Sequence, residues 1–151
     1  MLWLCAMTSN DTFEGGCTCR QVRYRVTSKP MFVHCCHCRW CQRETGAAFA
    51  LNAMIESERV ELLEGEVAVI DTPSHSGKGQ KIARCPRCRI AVWSHYSGGG
   101  DAVRFVRVGT LDEPDRPSGR DELQRGPDIG GVRGVRQAER HPHVALVDQP
   151  V

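Results

Sequence analysis

The chain has 151 residues, of which 40% are hydrophobic and 25% charged, enough for one domain with a core and too few for two comfortable ones. A formal net charge of +2 gives no electrostatic case for nucleic acid or an anionic membrane as a partner. Nine cysteines exclude a fully paired disulfide framework, and their spacings are those of metal sites, which points to a reducing, cytoplasmic setting.

Met1 to Met7 is mildly apolar, lacks a basic start and is too short for a signal peptide or a membrane span. Residues 1–11 are read as an N-terminal extension, with Cys5 a bystander. Phe13-Glu14-Gly15-Gly16 then runs into Cys17-Thr18-Cys19. Val22 to Thr27 alternates apolar and polar side chains with β-branched and aromatic types, the pattern of a half-buried strand. After the turn at Ser28-Lys29-Pro30, Met31-Phe32-Val33 forms a short strand that delivers His34-Cys35-Cys36-His37-Cys38-Arg39-Trp40-Cys41. Cys38 to Thr45 suits a short helical turn ending at Gly46, and Ala47 to Ile55 reads as a strand. Val60 to Leu63 and Val67 to Ile70 are two further strands joined by a turn at Glu64-Gly65.

Thr72 to Gln80 is a polar loop. Its Gly77-Lys78-Gly79 lacks the flanking residues of a phosphate-binding loop. Lys81 to Arg84 and Ile90 to Trp93 form a hairpin whose tip is Cys85-Pro86-Arg87-Cys88, and Ala102 to Val108 is the last strand. From about Pro114 the chain is dense in Pro, Gly, Asp and Arg without periodicity. Residues 114–151 are therefore expected to be a disordered or degenerate tail, in which His141 and His143 are solvated side chains. The domain proper is residues 12–113, mostly β, with at most one short helix.

Two groups of cysteines carry the chemistry. Cys17, Cys19, Cys85 and Cys88 sit in pairs at the mouths of predicted strands, and together supply the closed tetrahedral set of a structural zinc. Such a metal staples an early hairpin to a late one, and its binding energy is folding energy. Four thiolates around Zn²⁺ leave a charge of about −2 at the centre, which the neighbouring Arg20, Arg84, Arg87 and Arg89 offset.

The central loop offers Cys36, Cys38 and Cys41 as three further ligands. Cys35 points away from Cys36 on an extended backbone, while His34 and His37 are alternative fourth ligands. Three protein ligands leave an open, catalytic zinc, whereas closure by a histidine or Cys35 makes a second structural one. An open position among thiolates favours an exogenous thiol, whose pKa then falls from roughly 8.5.

The series GGCTCRQVRY, CCHCRWCQRETGAAF, ARCPRC and VRVGTLDEP resembles the glutathione-dependent formaldehyde-activating enzyme family, whose domain also occurs in centromere protein V. The resemblance spans about Phe13 to Pro114. It implies an Mss4-like fold with two zinc ions per chain, Cys17, Cys19, Cys85 and Cys88 as the structural tetrad, and Cys36, Cys38 and Cys41 as the site where glutathione engages. The implied reaction is addition of the glutathione thiol to formaldehyde, giving S-(hydroxymethyl)glutathione, the work of a carbon–sulfur lyase. Arg39, Gln42, Arg43 and Lys78 are candidates for binding glutathione, and Glu44 or His37 for moving protons.

Two departures stand out. Relatives place glycine after the second cysteine of each outer pair, where Arg20 and Arg89 stand here, so the turns must either differ or carry strain. Relatives also continue past the VGTLD strand with an aromatic-containing segment, and nothing after Pro114 matches it. The alternative function is a zinc-binding module that docks a protein without catalysis, since fold alone does not choose between them. A zinc-ribbon binder of nucleic acid fits the cysteine pairs but not the near-neutral charge.

Overall fold

The computed structural model describes residues 11–116. The expected strands form, joined by one at the start that the glycines of Gly15-Gly16 hid from view. In chain order they are β1 (Phe13–Gly16), β2 (Arg23–Val26), β3 (Phe32–Cys36), the helix α1 (Arg39–Thr45), β4 (Ala50–Glu56), β5 (Val60–Glu64), β6 (Ala68–Thr72), β7 (Gln80–Arg84), β8 (Ala91–Tyr96) and β9 (Val103–Arg107). Three short 3₁₀ turns precede β5, precede β9 and follow β9.

These strands make two antiparallel sheets, one of three strands in the order β1-β2-β5 and one of six in the order β3-β4-β9-β8-β7-β6. β5 and β6, adjacent in sequence, therefore belong to different sheets. β5 pairs with β2 and β6 with β7, and Gly65 turns the chain between them at φ 73°. Gly15 is fixed by space: a Cβ there would lie 2.5 Å from the Thr110 carbonyl oxygen and 2.7 Å from the Tyr24 hydroxyl.

The core lies between the sheets. Tyr24 and Val26 project inward from β2 while Arg23 and Arg25 face out, and Ala53, Ile55, Trp93 and Val106 meet them from the larger sheet. Tyr24 stands edge-on to Trp93 with ring centroids 5.6 Å apart, and its hydroxyl, fully buried, hydrogen-bonds Thr110 Oγ1 at 2.7 Å. A buried hydroxyl without that partner would be costly.

Because strand side chains alternate between faces, the opposite face of the larger sheet is separately defined. The register aligns His34, Asn52 and Arg107 in one row across β3, β4 and β9. Phe105 and Ser94 are paired in the neighbouring row. Cys36 lies on β3 two residues beyond His34, so the cysteine loop leaves the sheet directly above this second, polar face.

The expected extension over residues 1–11 lies outside the described residues but for Asp11, and so does the expected tail but for Pro114 to Arg116. There the Arg116 guanidinium lies over the Phe13 ring at 5.0 Å.

Candidate metal centres

The first cysteine group forms where two hairpin turns meet. Cys17 and Cys85, both buried, come together with the half-buried Cys19 and Cys88, and the four sulfur atoms all lie within 4.8 Å of one another. Cys17 Sγ is 3.4 Å from Cys19 Sγ, which is 3.7 Å from Cys85 Sγ. These separations rule out disulfides and approach the roughly 3.8 Å edge of a tetrahedron with 2.3 Å zinc–sulfur bonds. The donor set fits a metal.

Both turns are built alike. The amide of Cys17 donates to the Val22 carbonyl at 3.1 Å, and that of Cys85 to the Ile90 carbonyl at 3.0 Å. The Arg20 and Arg89 amides close the turns by donating to the carbonyls of Cys17 and Cys85, each at 3.0 Å. Arg20 and Arg89 adopt φ of 61° and 65°. The turns thus keep the left-handed geometry that suits glycine, and the arginines carry the strain.

Backbone amides also tune the thiols. The amide of Ile90, then that of Cys19, brings Cys88 down to about 6 against the opposing effect of burial. Cys19 has the help of the Gln21 amide, yet burial and the neighbouring thiols push it up to about 11. Four thiols this close cannot all ionise without a cation.

The second group is assembled by the end of β3 and the start of α1. Cys38 is the helix N-cap, its sulfur accepting from the Cys41 amide at 3.4 Å. Gly46 ends the helix in the left-handed conformation, donating to the Gln42 carbonyl at 2.8 Å, as capping chemistry requires. Cys36 Sγ is 3.5 Å from Cys38 Sγ, and Cys36, Cys38 and Cys41 lie mutually within 4.8 Å. Burial, the largest influence, pushes Cys36 up to about 12. For Cys38 burial is outweighed by the amides of Cys41 and Trp40 and by the adjoining thiols, so its pKa falls.

The remaining side chains of the loop take other partners. Cys35 Sγ lies 3.3 Å from His37 Nε2, and neither residue is in the three-sulfur group. His34 stands edge-on to Phe105 at 5.6 Å with Nδ1 buried and unpartnered. Burial, aided by the charge of Arg107, lowers its pKa. Among the described residues the group has three cysteines and no fourth ligand.

The sequence-predicted helpers are scattered. Arg39 donates to Gln42 Oε1 at 3.2 Å, and Gln42 Nε2 donates to the Ala48 carbonyl at 2.9 Å, so both brace the exposed side of α1. Arg43 is exposed on the same helix. Glu44 is bound by Arg84. Lys78 lines a cavity of about 660 Å³ beside the 72–80 loop. That cavity contains none of the cysteines and shares only Tyr96 with the polar sheet face, so its size does not make it the site.

Sequence reasoning missed the polar face itself. Tyr96 places its hydroxyl 3.8 Å from Cys41 Sγ and packs edge-on against Phe105, centroids 4.8 Å apart. Burial above all raises its pKa and keeps it protonated. Below it, Arg107 donates to Asn52 Oδ1 at 2.6 Å and to Ser94 Oγ at 3.1 Å, all three residues being buried. The available signal was Asn52, a lone polar side chain inside an apolar strand.

A cysteine-rich, two-sheet β domain with two metal-competent thiol clusters is the class defined so far. A sequence model of the family described as glutathione-dependent formaldehyde-activating enzyme matches residues 12–124, and the chain belongs to that family. Comparison with curated proteins gives no match. A solved structure of a Rhodobacter sphaeroides protein is similar, with a TM-score of 0.50 and 17% identity, over 66% of this chain and 87% of that one. At that identity the likeness concerns the fold alone.

Proposed function

We propose that this chain is a zinc-dependent enzyme of carbon–sulfur lyase type, resembling S-(hydroxymethyl)glutathione synthase, which joins the thiol of glutathione to formaldehyde or a related small aldehyde. The observation that carries the reading is the three-sulfur group of Cys36, Cys38 and Cys41, with Cys35, His34 and His37 all outside it. Three ligands beside a polar wall are the arrangement of a metal that keeps a place for substrate. Family membership supports glutathione as the guest.

Zinc held by these three cysteines supplies, when bound, a lowered pKa for an arriving thiol. The chain's own residues do the rest. Cys38 and α1 hold the cluster rigid through the helix cap. The Tyr96 hydroxyl stands beside Cys41, in reach of the oxygen that gains negative charge as sulfur adds to the carbonyl. Arg39, Gln42 and Arg43 flank the cluster from α1 and would meet the carboxylates of glutathione. A second zinc in the tetrad of Cys17, Cys19, Cys85 and Cys88 is structural. Cysteine spacings of metal-site type support a cytoplasmic setting, with a small thiol rather than nucleic acid or membrane as the partner. No helix among the described residues is long and apolar enough to cross a membrane.

The test is NMR exchange spectroscopy with ¹³C-formaldehyde and glutathione, with and without the zinc-loaded protein. Faster exchange between free and adduct carbon is expected. A rate equal to the spontaneous one would remove the synthase assignment.

A further inference from the structure

Arg107 is a buried cation with no ion-pair partner among the described residues. Its guanidinium is held by two neutral groups, the Asn52 carbonyl oxygen and the Ser94 hydroxyl, and its Nε is buried without a partner. None of the ion pairs among the described residues engages it. The residue is 7% exposed. A charge withdrawn from water this far is expensive unless a counter-charge repays it.

The sheet register shows where that counter-charge belongs. His34, Asn52 and Arg107 form one row, and Cys36 is on the same face two residues further along β3. With strands 4.7–4.9 Å apart, the Cα atoms of Arg107 and Cys36 are separated by roughly 12 Å, a span that the arginine side chain shortens if it leans that way. Tyr96, on the same face of β8, has its hydroxyl 3.8 Å from Cys41 Sγ. The three-cysteine group gathers potential negative charge at the end of β3 on this face.

We propose that Arg107, fixed by Asn52 and Ser94, is the buried counter-charge of the Cys36–Cys38–Cys41 centre. This rests on reading that centre as a zinc site. Three thiolates with Zn²⁺ carry a net charge of about −1, and a bound substrate thiolate makes it about −2. A fixed cation stabilises both states, the second more than the first. Arg107 is a positioning residue: it acts through the field at the metal ligands and touches no reacting atom.

Asn52→Asp gives the cleanest test, because it keeps the shape and places a carboxylate on the guanidinium, cancelling its charge where it stands. Arg107→Gln removes the charge while retaining hydrogen-bonding capacity, and Arg107→Lys retains the charge. Each zinc-loaded variant is titrated with a chromogenic chelator, with the tetrad zinc and circular dichroism as internal controls of folding. A unit charge at roughly 10 Å and an effective dielectric of about 20 leads us to expect about tenfold weaker retention of the second zinc in N52D and R107Q. R107K should stay within about threefold of wild type by the same Coulomb argument.

If N52D folds and holds its second zinc as tightly as wild type, the counter-charge is refuted. Should R107Q fail to fold, N52D still decides. A wild-type protein that binds a single zinc would instead overturn the underlying reading of the cysteine group.

Discussion

The carboxylate of Glu44 is bound by the guanidinium of Arg84, and this pair ties the two cysteine groups together. Glu44 lies on α1, three residues after Cys41, and Arg84 immediately precedes Cys85. Arg84 also donates to the Arg89 carbonyl at 3.0 Å, so it braces the tetrad turn with its other nitrogen. Both charged side chains are largely withdrawn from solvent, 20% and 15% exposed. Neither cysteine cluster is therefore mechanically independent of the other.

Glu44→Gln should weaken this joint. Breaking a partly buried pair leaves the guanidinium short of its counter-charge, and a loss of about 1–3 kcal/mol is expected, between the surface and buried limits. Urea unfolding of the zinc-loaded protein measures it. An unchanged midpoint would show that the pair is ornamental to the fold.

The two cysteine groups should respond differently to single serine substitutions. Cys85→Ser removes a buried sulfur from the four-cysteine group that joins β1–β2 to β7–β8, and should abolish the cooperative fold. Cys38→Ser should lower bound zinc from about two per chain to about one with the circular dichroism spectrum retained. If Cys38→Ser also unfolds the chain, the second centre is structural.

Arg20 and Arg89 offer stabilising changes. Each holds a left-handed φ, 61° and 65°, that costs a side-chain-bearing residue about 1–2 kcal/mol. Glycine relieves that strain but adds freedom to the unfolded chain, so each replacement should gain roughly 0.5–1 kcal/mol. Thermal melts of Arg20→Gly and Arg89→Gly read it out. A fall in stability at both would mean that the arginines' charge near the tetrad outweighs backbone strain.

Asp112 gives a pH prediction. Its hydrogen bonds from Arg23, joined by the attraction of that guanidinium, hold its carboxyl below the usual range. A depressed carboxyl pKa contributes stability that is fully present above the unfolded value of about 3.9 and disappears as pH falls through the folded value. Asp112→Asn should therefore flatten the acid limb of a stability–pH curve in that window, and added salt should do the same to wild type. Identical acid limbs for both proteins would assign the dependence to other carboxylates.

Much was decided by the sequence alone, because local patterns carry it. Alternation specified β2, Gly46 marked the end of α1, and cysteine spacing picked out the two cysteine groups.

What the tertiary structure decided were relations between strands far apart in the chain. Only pairing shows that β5 and β6 part company into different sheets. Only the register brings His34, Asn52 and Arg107 into one row, with Tyr96 against Cys41. Period-two alternation says that a side chain lies on one face or the other, but not which distant strand it will face. The cysteines declared themselves through their neighbours in sequence. The hydroxyl of Tyr96 beside Cys41 comes from β8 and the buried Arg107 from β9, and both could be found only once the sheet had closed.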